Sequence, residues 1–452
     1  MLERGFTNMV LSELLVSSRK VSFALCLLVG FFSQGVPAQT LGQNREMGRI
    51  MLGVIKNDIK KNYYDPTFHG IDLDAKFNQT DEKIKQATSL NEVLGLIAAA
   101  VMSLNDSHTY FVPPMRGARV EHGWQMQMIG DQGYIVAVQH GSDADAKGLT
   151  PGDRVLTVNG VTISRKVLPS LLYIFYLLSP RTGMDLVVET PKGERRHLMV
   201  DARVYQGKSI INLQTGMASD RFDLIRESET LARLYRHRYY EIGNDALLWK
   251  MPQFDLDDTR VDDLMDKARQ RKALVLDLRG NEGGSETTLL RMLGNVFDHD
   301  IKIGELKRRS ETKPLVAKSR GKESFTGKLV VLIDSRSSSA AEIFARTIQT
   351  EKRGVVIGDR SAGLVMRGKT YEHQVGQNLL VYYGMVVTDA DLINPDGKSL
   401  EHVGVTPDEV ILPTPADLAS GRDPVLAKAA QLAGLRITPE KAGTLFPIEW
   451  RK

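Results

Sequence analysis

Four short segments carry side chains whose types and spacing could do chemistry. In DSRSSSAAE, Asp334 to Glu342, small polar residues end a buried-looking strand and a helix opens at Ser339. A hydroxyl there stands beside the free N–H groups of a helix start, where an oxyanion can be held. The plainer reading is that Ser339-x-x-Glu342 is a capping box, a device found in helices with no chemistry. In LVLDLRGNEGG, Leu274 to Gly284, a strand ends at Asp277-Leu278-Arg279 and turns through glycines into a helix. Asp277 and Arg279 share a side of the strand and can pair, and the glycines let a backbone N–H face outward unobstructed. A phosphate cradle is the alternative there, but no GxxxxGK[ST] occurs and no ribose-binding partner stands at dinucleotide-fold spacing. Ser107-His108 and Glu401, in LEHVGVTPDEV, supply an imidazole and a carboxylate. Each of these is weak alone.

The elements that must position these groups fall into three stretches. From residue 39 to 117 apolar residues recur at helix spacing: Met47, Ile50, Met51, Val54, Ile55 and Ile59, then Leu94, Ile97, Ala98 and Val101. From 118 to 204 the pattern changes to short strands, with Gly148, Pro151-Gly152-Asp153 and Asn159-Gly160 forcing tight turns. From 205 to 452 strands and helices alternate, which implies a parallel sheet with crossovers. Asp417 to Leu432 reads as one more amphipathic helical region, and Lys307-Arg308-Arg309 as a solvated loop. The fold class is thus multidomain, α/β and α+β: helical region, β-rich domain and an α/β core of βαβ units.

Composition bounds the function. The chain has 452 residues, 42% hydrophobic and 25% charged, with a net charge of +4. No basic block or aromatic-basic stripe points to nucleic acid. Arg19 and Lys20 precede the apolar run Val21 to Phe32, and Val36 and Ala38 occupy the small-residue positions of a cleavage site. Residues 1–38 therefore read as a secretory signal cut after Ala38, with Met9 an alternative start. A dozen apolar residues are short for a membrane span of about 20, so no stable span is expected. The single cysteine, Cys26, lies inside that signal, which leaves no thiol for disulfides, thiolate catalysis or thiolate metal sites. Export to a bacterial periplasm or the cell exterior follows.

GSDADAKGLTPGDRVLTVNG, Gly141 to Gly160, resembles the PDZ domains of bacterial proteases. The apolar stretch Val167 to Ser179 would be the helix lining its groove, with the excess apolar surface packed on a neighbouring domain. The order SHT, PDZ, DLRxNxGG, SxSSSAAE and ExxGVTPD resembles the carboxyl-terminal processing, or tail-specific, serine protease family. That resemblance implies Ser339 as nucleophile, with an oxyanion hole of the Gly284 and Ala340 N–H groups, and no metal or organic cofactor. Most bacterial members use a Ser–Lys dyad, but Leu364 occupies the Lys position. Lys369, five residues on, falls on the opposite strand face. The remaining pattern resembles the tricorn protease branch, which implies His108 as general base, oriented by Ser107 and Glu401. The PDZ would add an extended peptide, such as a substrate C-terminal tail, along Gly123 to Met128, with Gly123, Trp124, Gln125 and Met126 as contacts. Two rivals stand beside this exported endopeptidase. One is a peptide- or lipid-binding protein on the same scaffold without proteolysis, suited by the apolar Val167 to Leu178 stretch. The other is an esterase, though no GxSxG elbow occurs.

Overall fold

The computed structural model describes residues 40–114, 118–206, 230–376 and 380–451. The signal sequence expected at 1–38 lies outside the described residues. The described residues divide into two units: one joins those up to Pro114 with Leu172–Pro180 and those between Gly368 and Ala390, and the other holds the rest.

Three helices make the frame of the first unit. Leu41–Asn62 starts at Thr40, whose hydroxyl accepts the Gln43 N–H while the Gln43 side chain returns to the Thr40 N–H. Leu73–Gln86 is capped by Asp72 and Leu90–Met102 by Ser89. Their apolar stripes meet at Met51, Ile55, Ile59, Phe77, Ile84, Val93, Ile97 and Val101, all buried. Strand Tyr110–Val112 leaves this bundle and pairs antiparallel with Val381–Ile393, Phe111 opposite Met385. The apolar stretch after Val167 is not one regular helix. An α-helical turn, Leu168–Leu172, passes into a π-helical turn, Tyr173–Leu178. The second half belongs to the first unit, where the Tyr173 hydroxyl donates to the Phe111 carbonyl at 2.7 Å. Leu168, Leu171, Ile174, Phe175 and Leu178 are buried, while Leu172, Tyr176 and Leu177 stay exposed, so burial accounts for one face of the run and not for its apolar excess.

Two sheets of the second unit bear on the site. The antiparallel one runs in the order Trp124–Ile129, Gln132–Val138, Arg154–Val158, Gly183–Glu189, Arg195–Asp201. Asn159 and Gly160, at φ 50° and 78°, form the primed turn that closes Val158 onto Val161. The other sheet has the order Arg238–Ile242, Ala246–Lys250, Ala273–Asp277, Lys328–Ile333, Val355–Gly358, Glu409–Val410, parallel from its second strand onward. Helices Asp258–Arg269, Glu286–Val296 and Ala340–Thr350 are its crossovers, as alternation in the sequence required. The C-terminal region is broken into Pro415–Ala419, Pro424–Leu432 and Pro439–Gly443 rather than continuous. Gly421 turns at φ 63°, and Pro424 opens a helix capped by Asp423. Leu426, Ala429 and Ala430 of that helix pack on Leu248, Val275, Val330 and Ile357. Lys307 and Arg308 end a strand, Ile301–Arg308, instead of lying in a loop. Their neighbours alternate between buried and exposed, a period-two signal too short to outweigh three consecutive charges in the sequence.

Two carboxylates fasten the antiparallel sheet to the parallel one. Asp359 accepts from the Gly130 N–H and the Arg165 guanidinium, both at 2.8 Å. Asp334 accepts from the Gln127 amide at 2.7 Å.

Candidate active site

Ser339 sits where strand Lys328–Ile333 has turned through five residues into helix Ala340–Thr350. Its backbone is at φ 54°, ψ −120°, a corner that glycine adopts freely and a side chain resists. Strain of this kind persists only where neighbours hold it. The Ser339 N–H donates to the Leu364 carbonyl at 2.8 Å and to Glu342 Oε2 at 3.1 Å. The Glu342 N–H is taken by the Ser339 carbonyl at 3.0 Å.

The glycine turn lies against this corner. A Cβ on Gly283 would stand 2.6 Å from the Ser339 Cβ and 3.1 Å from its Oγ, so only glycine fits. Gly284, at φ 139°, bridges Phe254: the Phe254 N–H donates to the Gly283 carbonyl and the Ser285 N–H to the Phe254 carbonyl. That pattern turns the Gly284 N–H away from Phe254. Among the described residues, neither the Gly284 N–H nor the Ala340 N–H has an acceptor. Asn281 fixes the turn, its amide donating to the Met251 carbonyl, its Oδ1 accepting the Gly283 N–H and its carbonyl accepting the Ser338 N–H. Asp277 and Arg279 pair at 2.8 Å as expected, joined by Lys250 and Asp423. Burial alone would raise the Asp277 carboxyl, but the two cations hold it far below the ordinary carboxylate range.

Glu342 does more than cap a helix. Fully buried, it accepts the Ser361 hydroxyl at 2.5 Å and the N–H groups of Gly363 and Leu364 at 2.7 and 2.9 Å, besides that of Ser339. Burial pushes its carboxyl up to about 7, against the pull of these donors. One side chain thus pins the 361–364 stretch under the Ser339 backbone, and Leu364 contributes a carbonyl where a lysine was looked for. Glu342→Gln must set an NH₂ against at least one N–H donor, whichever oxygen it replaces. An unmet buried group costs about 1–3 kcal/mol, so a lower urea midpoint and about tenfold slower turnover are expected. Unchanged values on both measures would reduce Glu342 to an ordinary cap.

Glu401 stands beside the same stretch. Its Oε2 accepts the Val365 N–H at 3.0 Å, and its Oε1 lies 3.7 Å from His402 Nε2. Ser107 and His108 lie in the first unit. Ser107 Oγ is 2.7 Å from His108 Nδ1, which leaves Nε2 as the imidazole's other working nitrogen. The His108 N–H donates to Asp106 Oδ1, which also accepts the Thr388 hydroxyl. Burial holds the imidazole below its ordinary pKa, and Asp106 pulls the other way. Lys369 is exposed, its ammonium 5.5 Å over the Tyr371 ring. Gly123, Trp124, Gln125 and Met126 lie at or in the end strand of the antiparallel sheet. Trp124 and Met126 are turned inward, and the Met128 carbonyl accepts the Ser335 hydroxyl at 2.6 Å.

This geometry agrees with what similarity shows. Residues 247–411 match Peptidase family S41. That span runs from the second strand of the parallel sheet past Glu401. Tricorn protease homolog 2 of Streptomyces coelicolor is 27% identical over 396 residues, covering 83% of this chain and 31% of that protein. The chloroplastic carboxyl-terminal-processing peptidase 1 of Arabidopsis thaliana is 26% identical over 349 residues, covering 73% and 64%. A CtpA-like serine protease of Staphylococcus aureus is 24% identical over 293 residues, covering 64% and 52%. The chain spans 31% to 64% of the length of these relatives. Mature CPAF has the same fold, at TM-score 0.61 and 14% identity, covering 83% of this chain and 94% of that one. Glu342 and Asn281 escaped the sequence reading in these roles. The one visible signal was for Glu342, an ionisable side chain amid apolar and small residues.

Proposed function

We propose that the chain is an exported serine endopeptidase that forms an acyl-enzyme on Ser339. The observation that carries this reading is the strained Ser339 corner beside two amide N–H groups that have no acceptor among the described residues, inside the S41-matching region. In this reading Ser339 Oγ attacks the scissile carbonyl, and the Gly284 and Ala340 N–H groups receive the oxyanion. His108 Nε2 takes the serine proton and returns it to the leaving amine, and water then releases the acyl group. Ser107, at hydrogen-bond distance from Nδ1, and Glu401 orient the imidazole and stabilise its cation. The PDZ-like sheet receives an extended peptide, and removal of residues 1–38 accompanies export. The rival binding protein would use the exposed Leu172, Tyr176 and Leu177 of the apolar run, and labelling of the serine separates the two readings. A fluorophosphonate probe is expected to label the protein once, on the peptide carrying Ser339, as mapped by mass spectrometry. Failure of well-folded protein to react would refute the hydrolase.

A further inference from the structure

Asp334 is buried in the turn that leads to Ser339, and it touches three separate segments at once. Its Oδ1 accepts the Gly280 N–H at 2.8 Å and the Arg336 N–H at 3.0 Å, with the Ser337 hydroxyl at 3.3 Å. Its Oδ2 accepts the Gln127 amide at 2.7 Å. An ordinary Asx turn needs only the first oxygen and residues within its own loop. Here the first oxygen also grips Gly280, at φ 70° in the turn that presents Gly284, and the second reaches a strand 207 residues away in sequence. The adjacent hydroxyl repeats the link, Ser335 Oγ donating to the Met128 carbonyl on the same strand.

We propose that Asp334 is a positioning residue for the glycine turn, and that the Trp124–Ile129 strand reaches the hydrolytic centre through it. This rests on the reading of Ser339 as nucleophile and Gly284 as oxyanion donor. An N–H donor for an oxyanion acts only if its direction is fixed before charge develops. The turn has three other ties to the nucleophile loop, Ser337 Oγ to the Leu278 carbonyl, the Ser338 N–H to the Asn281 carbonyl and the Arg336 guanidinium to Glu282 Oε1 at 2.9 Å. None of the three reaches the antiparallel sheet. Among the described residues, Asp334 is the side chain that bonds both the turn and the antiparallel sheet, so even a substrate too short to touch that sheet depends on it.

The test uses Asp334→Ala, Asp334→Asn and Gln127→Leu, each with active sites counted by fluorophosphonate. Asp334→Ala should lower kcat on a short activated ester about 10–100-fold with KM within about threefold, the split for an interaction made in the transition state. Asparagine keeps an oxygen for Gly280, and Gln127 can turn its own oxygen to the new amide, so Asp334→Asn should stay within about threefold. Gln127→Leu, which leaves those three ties intact, should fall between them. Hydrogen exchange over residues 278–284 should quicken in Asp334→Ala and Gln127→Leu, a readout that needs no turnover. If Asp334→Ala fails to fold, Gln127→Leu decides. Unchanged kcat and unchanged exchange in Gln127→Leu overturn the proposal. Quickened exchange in a chain whose wild type neither labels nor turns over sinks the hydrolase reading and keeps the coupling.

Discussion

His108→Ala is expected to lower peptidase turnover by about 10²–10⁴-fold, and by more if nucleophile and base act as a unit, while Lys369→Ala keeps most of it. Leu364 offers only a carbonyl to the Ser339 N–H, and Lys369 is exposed over Tyr371. His108 has the properties a base needs. Its Nδ1 is engaged by Ser107, and burial favours the neutral form that can accept a proton. The sign of the pH effect follows. Activity requires the neutral imidazole, so the rate rises with pH through the His108 pKa and levels above it. Burial sets that limb below the ordinary value of about 6.5. Asp106 opposes burial, so Asp106→Asn should move the limb further down. Glu401→Gln should slow turnover as well, because an amide no longer neutralises the imidazolium. The measurement is kcat/KM from pH 4 to 9 for each variant. An inactive Lys369→Ala beside an active His108→Ala would restore a displaced Ser–Lys dyad.

How much of this was legible in the sequence differs by element. The parallel strands were readable because they are buried on both faces and appear as unbroken apolar runs, such as Leu329 to Ile333. The turns were readable because Asn159-Gly160 and Pro151-Gly152-Asp153 have few conformations to choose from. The run Val167 to Ser179 is helical as its apolar pattern suggested, but the change from α to π winding after Leu172 left no mark in that pattern. The break at Gly421 and Pro424 carried a plain signal that the amphipathic pattern on either side obscured. Within the site, local sequence pointed to Ser339 because a strand, small residues and a helix start are contiguous. Glu342 looked like a cap from three residues away. Its other donors, Ser361, Gly363 and Leu364, are 19 to 22 residues distant and arrive only when the next strand is laid down. Asp334 is the extreme case, since its partner Gln127 belongs to a different sheet.

Ser339→Ala and Ser339→Gly should both abolish hydrolysis, by about 10⁴–10⁶-fold, since neither side chain can form the acyl-enzyme. They should part company in stability. The corner at φ 54°, ψ −120° clashes with any Cβ, so alanine inherits the strain and its urea midpoint should match the wild type. Glycine relieves it. Strain at such a residue is about 1–3 kcal/mol, and glycine's extra freedom in the unfolded chain returns roughly 0.5–1 of that. A net gain of about 1 kcal/mol is therefore expected for Ser339→Gly, read as a raised urea midpoint at unchanged slope. The pair separates two claims that a single inactive variant would merge. Residual peptidase activity in Ser339→Ala would remove Ser339 as nucleophile whatever the stabilities. A Ser339→Gly protein less stable than Ser339→Ala would mean that the corner is not strained. In that case the bonds from Leu364 and Glu342 would be holding a relaxed turn, and the hydroxyl's presentation would need another cause. A stabilised but dead Ser339→Gly would show instead that this chain keeps a costly backbone at one position because the chemistry needs a hydroxyl there.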